Sequence, residues 1–266
     1  YMEKEELREI MLWLEMHGVS GAYAARIFET YSSFAIEVME KHPYRLARDV
    51  AGIGFLTADA IAKSAGIAED SKERIEAGLG HALLTVSQQG HCCIPAPALT
   101  ERAAKLLGTP TEEVREVLKE ALAAERLAFE EVGAVTLIYP PWLYRAEKRT
   151  AQMLFFLQQK AAVLPAEKAA AIVADWERAA GITLAAEQQQ AVAAVLDHAV
   201  FVLTGGPGTG KTTVVRGMIA VLESQGLSVL LGAPTGRAAK RLAEATGRKA
   251  ETVHRLLGAQ GGIEAD

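Results

Sequence analysis

The sequence predicts a multidomain chain: a mainly α N-terminal part, followed by the start of an α/β domain built round a phosphate-binding loop. Three observations predict it. From the first residues to about Ala124, apolar residues recur at helical spacing in short runs that stop at glycines. From Leu184 onward, helical runs alternate with short apolar stretches such as "VFVLTG" and "SVLLGAP". Between those two stretches lies "GGPGTGKTT", Gly205–Thr213, at the junction of an apolar run and a helical one.

Residues 1–90 read as short helices. In "EELREIMLWLEMHG", Leu7, Ile10, Met11 and Leu14 fall on one face, and Gly18 ends the helix. "SGAYAARIFETY" follows as a second helix. "PYRLARDVAGIGFLTADAIAKSAGI" reads as helix, tight turn, helix, and "SKERIEAGLGHALLTVSQQGH" as a longer helix ending near Gly90. Gly52-Ile53-Gly54 sits in the turn, with Ala58 and Ile61 on the next helix. Glycines flanking one buried apolar residue let a hairpin approach a phosphate closely, and the exposed N–H groups at the helix start bind backbone without reading sequence. Gly18–Gly21, followed by Ala25 and Ile27, is a looser copy. A hairpin used only for packing remains the competing reading of both.

Residues 91–140 predict a winged-helix-like unit. "APALTERAAKLLG" and "PTEEVREVLKEALAAE" are helices, and "RLAFEEVGAVTLIYP" reads as two short strands turning near Glu131–Gly133. Residues 141–183 are two linking helices, punctuated by Pro165 and Gly181. Residues 184–266 open the α/β domain, with strands expected at Val200–Leu203 and Val229–Leu231.

Composition narrows the function. Half of the 266 residues are apolar, the net charge is −5, and there are two cysteines. No apolar run approaches the ~20 residues that span a bilayer, and the first residues lack a signal-peptide pattern, so the expectation is a cytoplasmic protein without membrane contact. Cys92 and Cys93 are expected to be small core residues, since "HCC" has no second half of a metal site. Residues 201–258 carry eight Lys/Arg against three Glu. A basic zone in an acidic chain fits a polyanion partner, and equally suits nucleotide binding alone. The chain opens on Tyr1 and stops on "GGIEAD", which closes no element, so a fragment of a longer protein is expected.

The loop Gly205, Gly206, Pro207, Gly208, Thr209, Gly210, Lys211, Thr212 matches G-x4-G-K-[ST] in full, with Thr213 beginning the helix. Glycines turn consecutive N–H groups inward as an anion nest, and the helix N-terminus adds positive potential. Lys211 reaches the β- and γ-phosphates and the Thr212 hydroxyl coordinates Mg²⁺. Upstream, Gln188 in "LAAEQQQAV" has the donor and acceptor needed to read an adenine edge, although a glutamine run is also an ordinary solvated helix face. Downstream, Thr235, Gly236 and Arg237 follow a strand, offering hydroxyl, N–H and guanidinium where α/β sheets bind ligands. "ETVHRLLG" places His254 and Arg255 at the start of a short helix.

Together, "LTGGPGTGKTT", "APTGRAAKRL", "ETVHRLLG" and "LAAEQQQAV" resemble the first motifs of superfamily 1B DNA helicases of the RecD type, the exodeoxyribonuclease V alpha-like proteins. "HGVSGAYAARIFETY" and "PYRLARDVAGIGFLTADAIA" resemble the long form, which carries N-terminal helix-hairpin-helix domains and works without RecB and RecC. The resemblance implies a RecA-like fold from residue 184, ATP and Mg²⁺ as cofactors, and 5′–3′ movement on single-stranded DNA or duplex with a 5′ tail, in recombination or repair. It makes Gln188 the adenine reader, Lys211 and Thr212 the catalytic pair, and Thr235, Gly236, Arg237, His254, Arg255 and Gly52–Gly54 the DNA contacts, with further protein partners open to the N-terminal domains. The acidic motif and the second motor domain of the family have no counterpart before Asp266, so the fragment alone is expected to be inactive. An ATP-gated DNA-binding or scaffold protein without unwinding, and a phosphate-loop NTPase acting on something other than DNA, stay open beside it.

Overall fold

The computed structural model describes residues 2–159 and 166–258; Pro165 and "GGIEAD" lie outside them. The chain divides into two compact units, Tyr1–Arg149 and Thr150–Asp266.

The first unit opens with α1 (Met2–Met16), α2 (Ala24–Tyr31), α3 (Ala35–Lys41), α4 (Arg45–Asp49) and α5 (Phe55–Ser64). Acids Glu3 and Glu5 in the first turn of α1 suit the positive end of its dipole. Its C-terminus closes at Gly18, where φ is +72°, and Val19 N–H donates back to Leu14 O at 2.9 Å. The buried face of α1 is Ile10, Trp13 and Leu14; Met11, expected on that face, is exposed, because Trp13 fills the position beside Leu14 and stacks on His17. In the looser hairpin Ala24, rather than Ala25, is the buried alanine before Ile27. These residues join Val38, Met39, Leu46, Ile53 and Ile61 in one core.

A second core joins α6 (Lys72–Gln88), α7 (Ala96–Leu107) and α8 (Thr111–Ala123) to a three-stranded antiparallel sheet. The strands β1 (Ile94–Pro95), β2 (Ala128–Val132) and β3 (Val135–Tyr139) lie in the order β1-β3-β2. β2 and β3 form the expected hairpin, turning through Gly133 at φ +61°. β1 was not expected; it is two residues long and pairs Ile94 with Ile138. Tyr44, Phe55, Ala58 and Ala62 from the preceding helices pack into this core too.

One buried polar cluster fastens the two cores. Asp59 on α5 accepts from Arg74 Nε on α6 at 2.8 Å and from the Tyr44 hydroxyl at 2.8 Å. Arg74 Nη1 also donates to the carbonyls of Glu69 and Leu107, at 2.8 and 3.1 Å. Burial opposes ionisation of Asp59, but the hydrogen bonds from Arg74 and Tyr44 outweigh it and hold its pKa below the ordinary aspartate value.

Cys92 is exposed and Cys93 half-buried, so neither is the core residue the sequence suggested. They fall in the short connection between α6 and β1, where Cys93 approaches the Tyr139 hydroxyl. Among the described residues no group of three or more His, Cys, Asp or Glu could hold a metal ion.

The boundary between units falls within α9 (Pro141–Gln159). The second unit continues through α10 (Ala166–Ala180), α11 (Ala186–Ala194) and α12 (Lys211–Ser224), then β4 (Leu231–Ala233), α13 (Gly236–Thr246), β5 (Ala250–Thr252) and α14 (Val253–Leu256). Ala169, Val173, Leu184, Val192, Val214 and Val221 bring α10, α11 and α12 into one core. Gly217 allows α12 to close on that core, since a Cβ there would lie 2.8 Å from the Trp176 ring and 2.9 Å from Val192. Gly217→Val is expected to destabilise this unit by about 1–3 kcal/mol through overpacking, read as a lowered thermal midpoint by circular dichroism.

β4 and β5 pair in parallel across α13, giving a βαβ unit. Two sequence expectations change here. Val200–Leu203 forms no ladder, and the second expected strand begins at Leu231 instead of Val229. A strand of a parallel sheet exists only with a neighbour to bond, and among the described residues none pairs with 200–203. Val202 and Leu230 are accordingly 77% and 81% exposed.

No helix among the described residues is long and apolar enough to cross a membrane.

Candidate nucleotide site and nucleic-acid interface

The loop from Gly205 to Gly210 leads straight into α12, whose first residue is Lys211. Gly208 and Gly210 have φ of +76° and +79°, the left-handed region that other residues avoid. Close neighbours add a second reason at Gly210 and supply the reason at Gly205. A Cβ on Gly205 would lie 2.8 Å from Thr209 Oγ1, and one on Gly210 would lie 2.5 Å from Gln188 Nε2. Thr209 Oγ1 in turn donates to Gly206 O at 3.0 Å, closing the loop on itself.

Lys211 Nζ folds back to donate to the carbonyls of Gly205 and Gly206, at 2.6 and 2.5 Å. The ammonium therefore lies against the glycine loop, in reach of an anion that enters it. Thr212 is exposed in the first turn of α12, and its hydroxyl has no hydrogen-bond partner among the described residues. Thr213 is half-buried behind it. A glycine nest, a helix N-terminus, one ammonium and one free hydroxyl fit a polyphosphate with its cation, Lys211 neutralising charge and Thr212 offering an oxygen ligand.

Gln188 meets this loop. Its Nε2 donates to Thr209 O at 3.0 Å, and its Oε1 accepts from Ala185 N at 3.1 Å as the N-terminal box of α11. A carboxamide has two N–H groups and two lone pairs. One of each is used, so one of each remains for a ligand edge. The glutamine run is thus more than a solvated face, because Gln188 ties α11 to the loop.

Thr235 and Thr252 occupy equivalent places. Each is an N-cap whose hydroxyl oxygen accepts from the backbone: Thr235 from Ala238 N at 3.2 Å and Thr252 from Arg255 N at 3.3 Å. The register pairs Ala233 with Thr252, so the carboxyl ends of β4 and β5 are adjacent. Thr235–Arg237 and His254–Arg255 follow those ends directly and come together on one edge. Gly232 lets α14 lie on β4, as a Cβ there would be 2.7 Å from Leu256.

Arg237, Lys240 and Arg241 are exposed and spaced i, i+3 and i+4 on α13, so they line one helix face. Of the basic residues in 201–258, Arg248 pairs with Glu223 and Lys249 with Glu251, whose charge Arg255 also feels; Arg237, Lys240 and Arg241 have no carboxylate partner among the described residues. The positive charge is therefore concentrated near the motif edge. In the sequence Lys240 and Arg241 count only towards the local positive charge, although their spacing from Arg237 places all three on one helix face.

In the other unit, Gly52 has φ +84° and Ile53 is 3% exposed, its N–H donating to Val50 O at 3.1 Å. Gly54 is the N-cap of α5, without a side-chain cap. Arg26 on α2 crosses to this turn, donating from Nη1 to Ala51 O at 2.7 Å, in the space that a Cβ on Gly52 would enter.

Comparison with known proteins agrees with both units. Residues 3–93 match the family model of the ATP-dependent RecD2 DNA helicase HHH domain, and residues 188–266 match an AAA domain. The ATP-dependent RecD2 DNA helicase of Deinococcus radiodurans is 36% identical over 263 residues, an alignment covering 94% of this chain and 36% of that protein. The RecBCD enzyme subunit RecD of Mycobacterium tuberculosis is 42% identical over 99 residues, 29% of this chain and 17% of that protein. The ATP-dependent DNA helicase dda of phage T4 is 39% identical over 56 residues, covering 21% of this chain and 13% of that protein. The chain spans about a third of the length of its Deinococcus relative. The similarity runs through the helical hairpins, the phosphate loop and the strand-end motifs: residues 3–93 resemble the helix-hairpin-helix domain of RecD2 helicases, and residues 188–266 resemble an AAA domain.

Proposed function

We propose that this chain is the N-terminal part of an ATP-dependent DNA helicase that moves 5′ to 3′ on single-stranded DNA or from a 5′ tail, in recombination or repair. The observation that carries the reading is the meeting of Gln188 with the glycine loop at Thr209, beside Lys211 at the head of α12. A base reader and a triphosphate nest in one place suit ATP better than a bare phosphate. Lys211 would neutralise the β- and γ-phosphates, and Thr212 would offer one oxygen ligand to Mg²⁺. Mg²⁺, when bound, supplies charge stabilisation at the transferred phosphoryl group.

Thr235, Gly236, Arg237, His254 and Arg255 contact the single-strand backbone on the edge above β4 and β5. The Arg237–Arg241 face supplies the sequence-independent attraction such binding needs. Gly52–Gly54 contacts DNA backbone through N–H groups at the start of α5. The N-terminal domains also offer surfaces to protein partners.

ATP hydrolysis by the full-length protein is expected to rise at least about tenfold with single-stranded DNA. Unwinding is expected from a 5′-tailed duplex and not from a 3′-tailed one. Hydrolysis indifferent to DNA contradicts the helicase reading, and unwinding only from a 3′ tail contradicts its direction.

A further inference from the structure

α10 lies upstream of the residues that match an AAA domain, yet it holds them in place. The Glu177 carboxylate accepts two hydrogen bonds, one from Leu184 N at 2.6 Å and one from Gln189 Nε2 at 2.9 Å. These are the residues on either side of the first turn of α11. Glu177 is half-buried and pairs with no cation among the described residues, so its charge is answered by N–H donors alone. Hydrogen bonds to an ionised carboxylate are the stronger kind. Between the two anchored residues stands Gln188, bonded to Ala185 N and to Thr209 O. A continuous row thus runs from Glu177 through the first turn of α11 to the phosphate loop. The adjacent Trp176 packs where a Cβ on Gly217 would be, so α10 braces α12 as well.

We propose that Glu177 is a positioning residue for adenine recognition: by anchoring Leu184 and Gln189 it fixes Gln188, so that a helix before the AAA domain sets the base selectivity of the nucleotide site. This rests on the reading of Gln188 and Lys211 as a nucleotide site. The two residues meet different parts of the ligand. Gln188 faces the base, and Lys211 and the loop face the phosphates. Loss of positioning therefore lowers affinity for ATP and spares affinity for triphosphate alone, whereas simple loosening of the unit lowers both.

The test is equilibrium titration of the full-length protein with ATP, GTP and inorganic tripolyphosphate. Glu177→Ala is expected to weaken ATP binding about five- to tenfold, the size of one hydrogen bond between neutral groups, that of Gln188 to the base. GTP and tripolyphosphate binding should hold, so that the preference for ATP collapses. Gln189→Ala removes one anchor with little risk to folding and should shift the preference the same way, by less. The pair Glu177→Gln with Gln189→Glu exchanges donor and acceptor across the same contact and should restore ATP preference. An unchanged ratio of ATP to GTP in Glu177→Ala and Gln189→Ala overturns the proposal, as does an equal loss for all three ligands. A wild type without ATP preference removes the adenine reading of Gln188 and this proposal with it. Phosphate binding is judged separately, by whether Lys211→Ala abolishes tripolyphosphate binding.

Discussion

Lys211→Ala is expected to weaken nucleotide binding by at least about thirtyfold, the loss of a hydrogen bond between charged partners, while the protein stays folded. The separation of the two effects follows from where Lys211 stands. Among the described residues its ammonium bonds only the carbonyls of Gly205 and Gly206, both in an exposed loop. Without the lysine those carbonyls turn to water, and no buried polar group is orphaned. The helix start keeps its glycine N-cap, Gly210. The loop, by contrast, loses the ammonium that lies against it, the group proposed to meet the β- and γ-phosphates. Fluorescent-ATP titration of wild type and variant, with circular dichroism of both, reads the two effects independently. Equal affinity in both proteins refutes the phosphate role of Lys211.

The largest stability effect is expected at the buried pair Asp59–Arg74. Asp59→Ala leaves a guanidinium without its counter-charge at a nearly inaccessible site, a change that costs about 3–5 kcal/mol. The loss exceeds that of one contact, because Asp59 also accepts from Tyr44 and holds Arg74 in reach of Glu69 O and Leu107 O. Acid carries the same signature. The folded pKa of Asp59 is depressed, so its contribution is present above the unfolded value near about 4 and is lost as pH falls through the folded pKa. Urea unfolding between pH 7 and pH 3 should show wild-type stability dropping at the acid end, and a shallower drop in Asp59→Asn. Parallel curves would show that the pair does not govern acid stability.

What the sequence made legible was local. The glycine loop with Lys211 and Thr212, the hairpin turning at Gly133 and the turn at Gly52 each depend on neighbours a few residues away, so spacing and residue type suffice to find them. What it concealed was tertiary. Nothing near Ile94 marks a two-residue strand, because its partner Ile138 arrives by folding. Glu177 and Gln189 stand twelve residues apart, and Asp59 and Arg74 fifteen, with no pattern linking either pair. Val200–Leu203 misled in the opposite sense: its composition is that of a strand, but a ladder needs a neighbour. The expectation of core cysteines failed because small apolar character does not say whether a residue falls in a helix or, as Cys92 does, in a connection.

The Asp59–Arg74 cluster has a mechanical consequence. Asp59 follows Gly54 by five residues, about 7.5 Å along the axis of α5 at 1.5 Å per residue. From Asp59 the linkage passes through the rigid fork of Arg74 to the backbone carbonyl of Leu107, at the end of α7. Arg26 clamps the other side of the same turn through Ala51 O. A displacement of the hairpin at Gly52 thus meets directional hydrogen-bonded links on both sides, to α2 through Arg26 and to α7 through Arg74, as well as apolar packing.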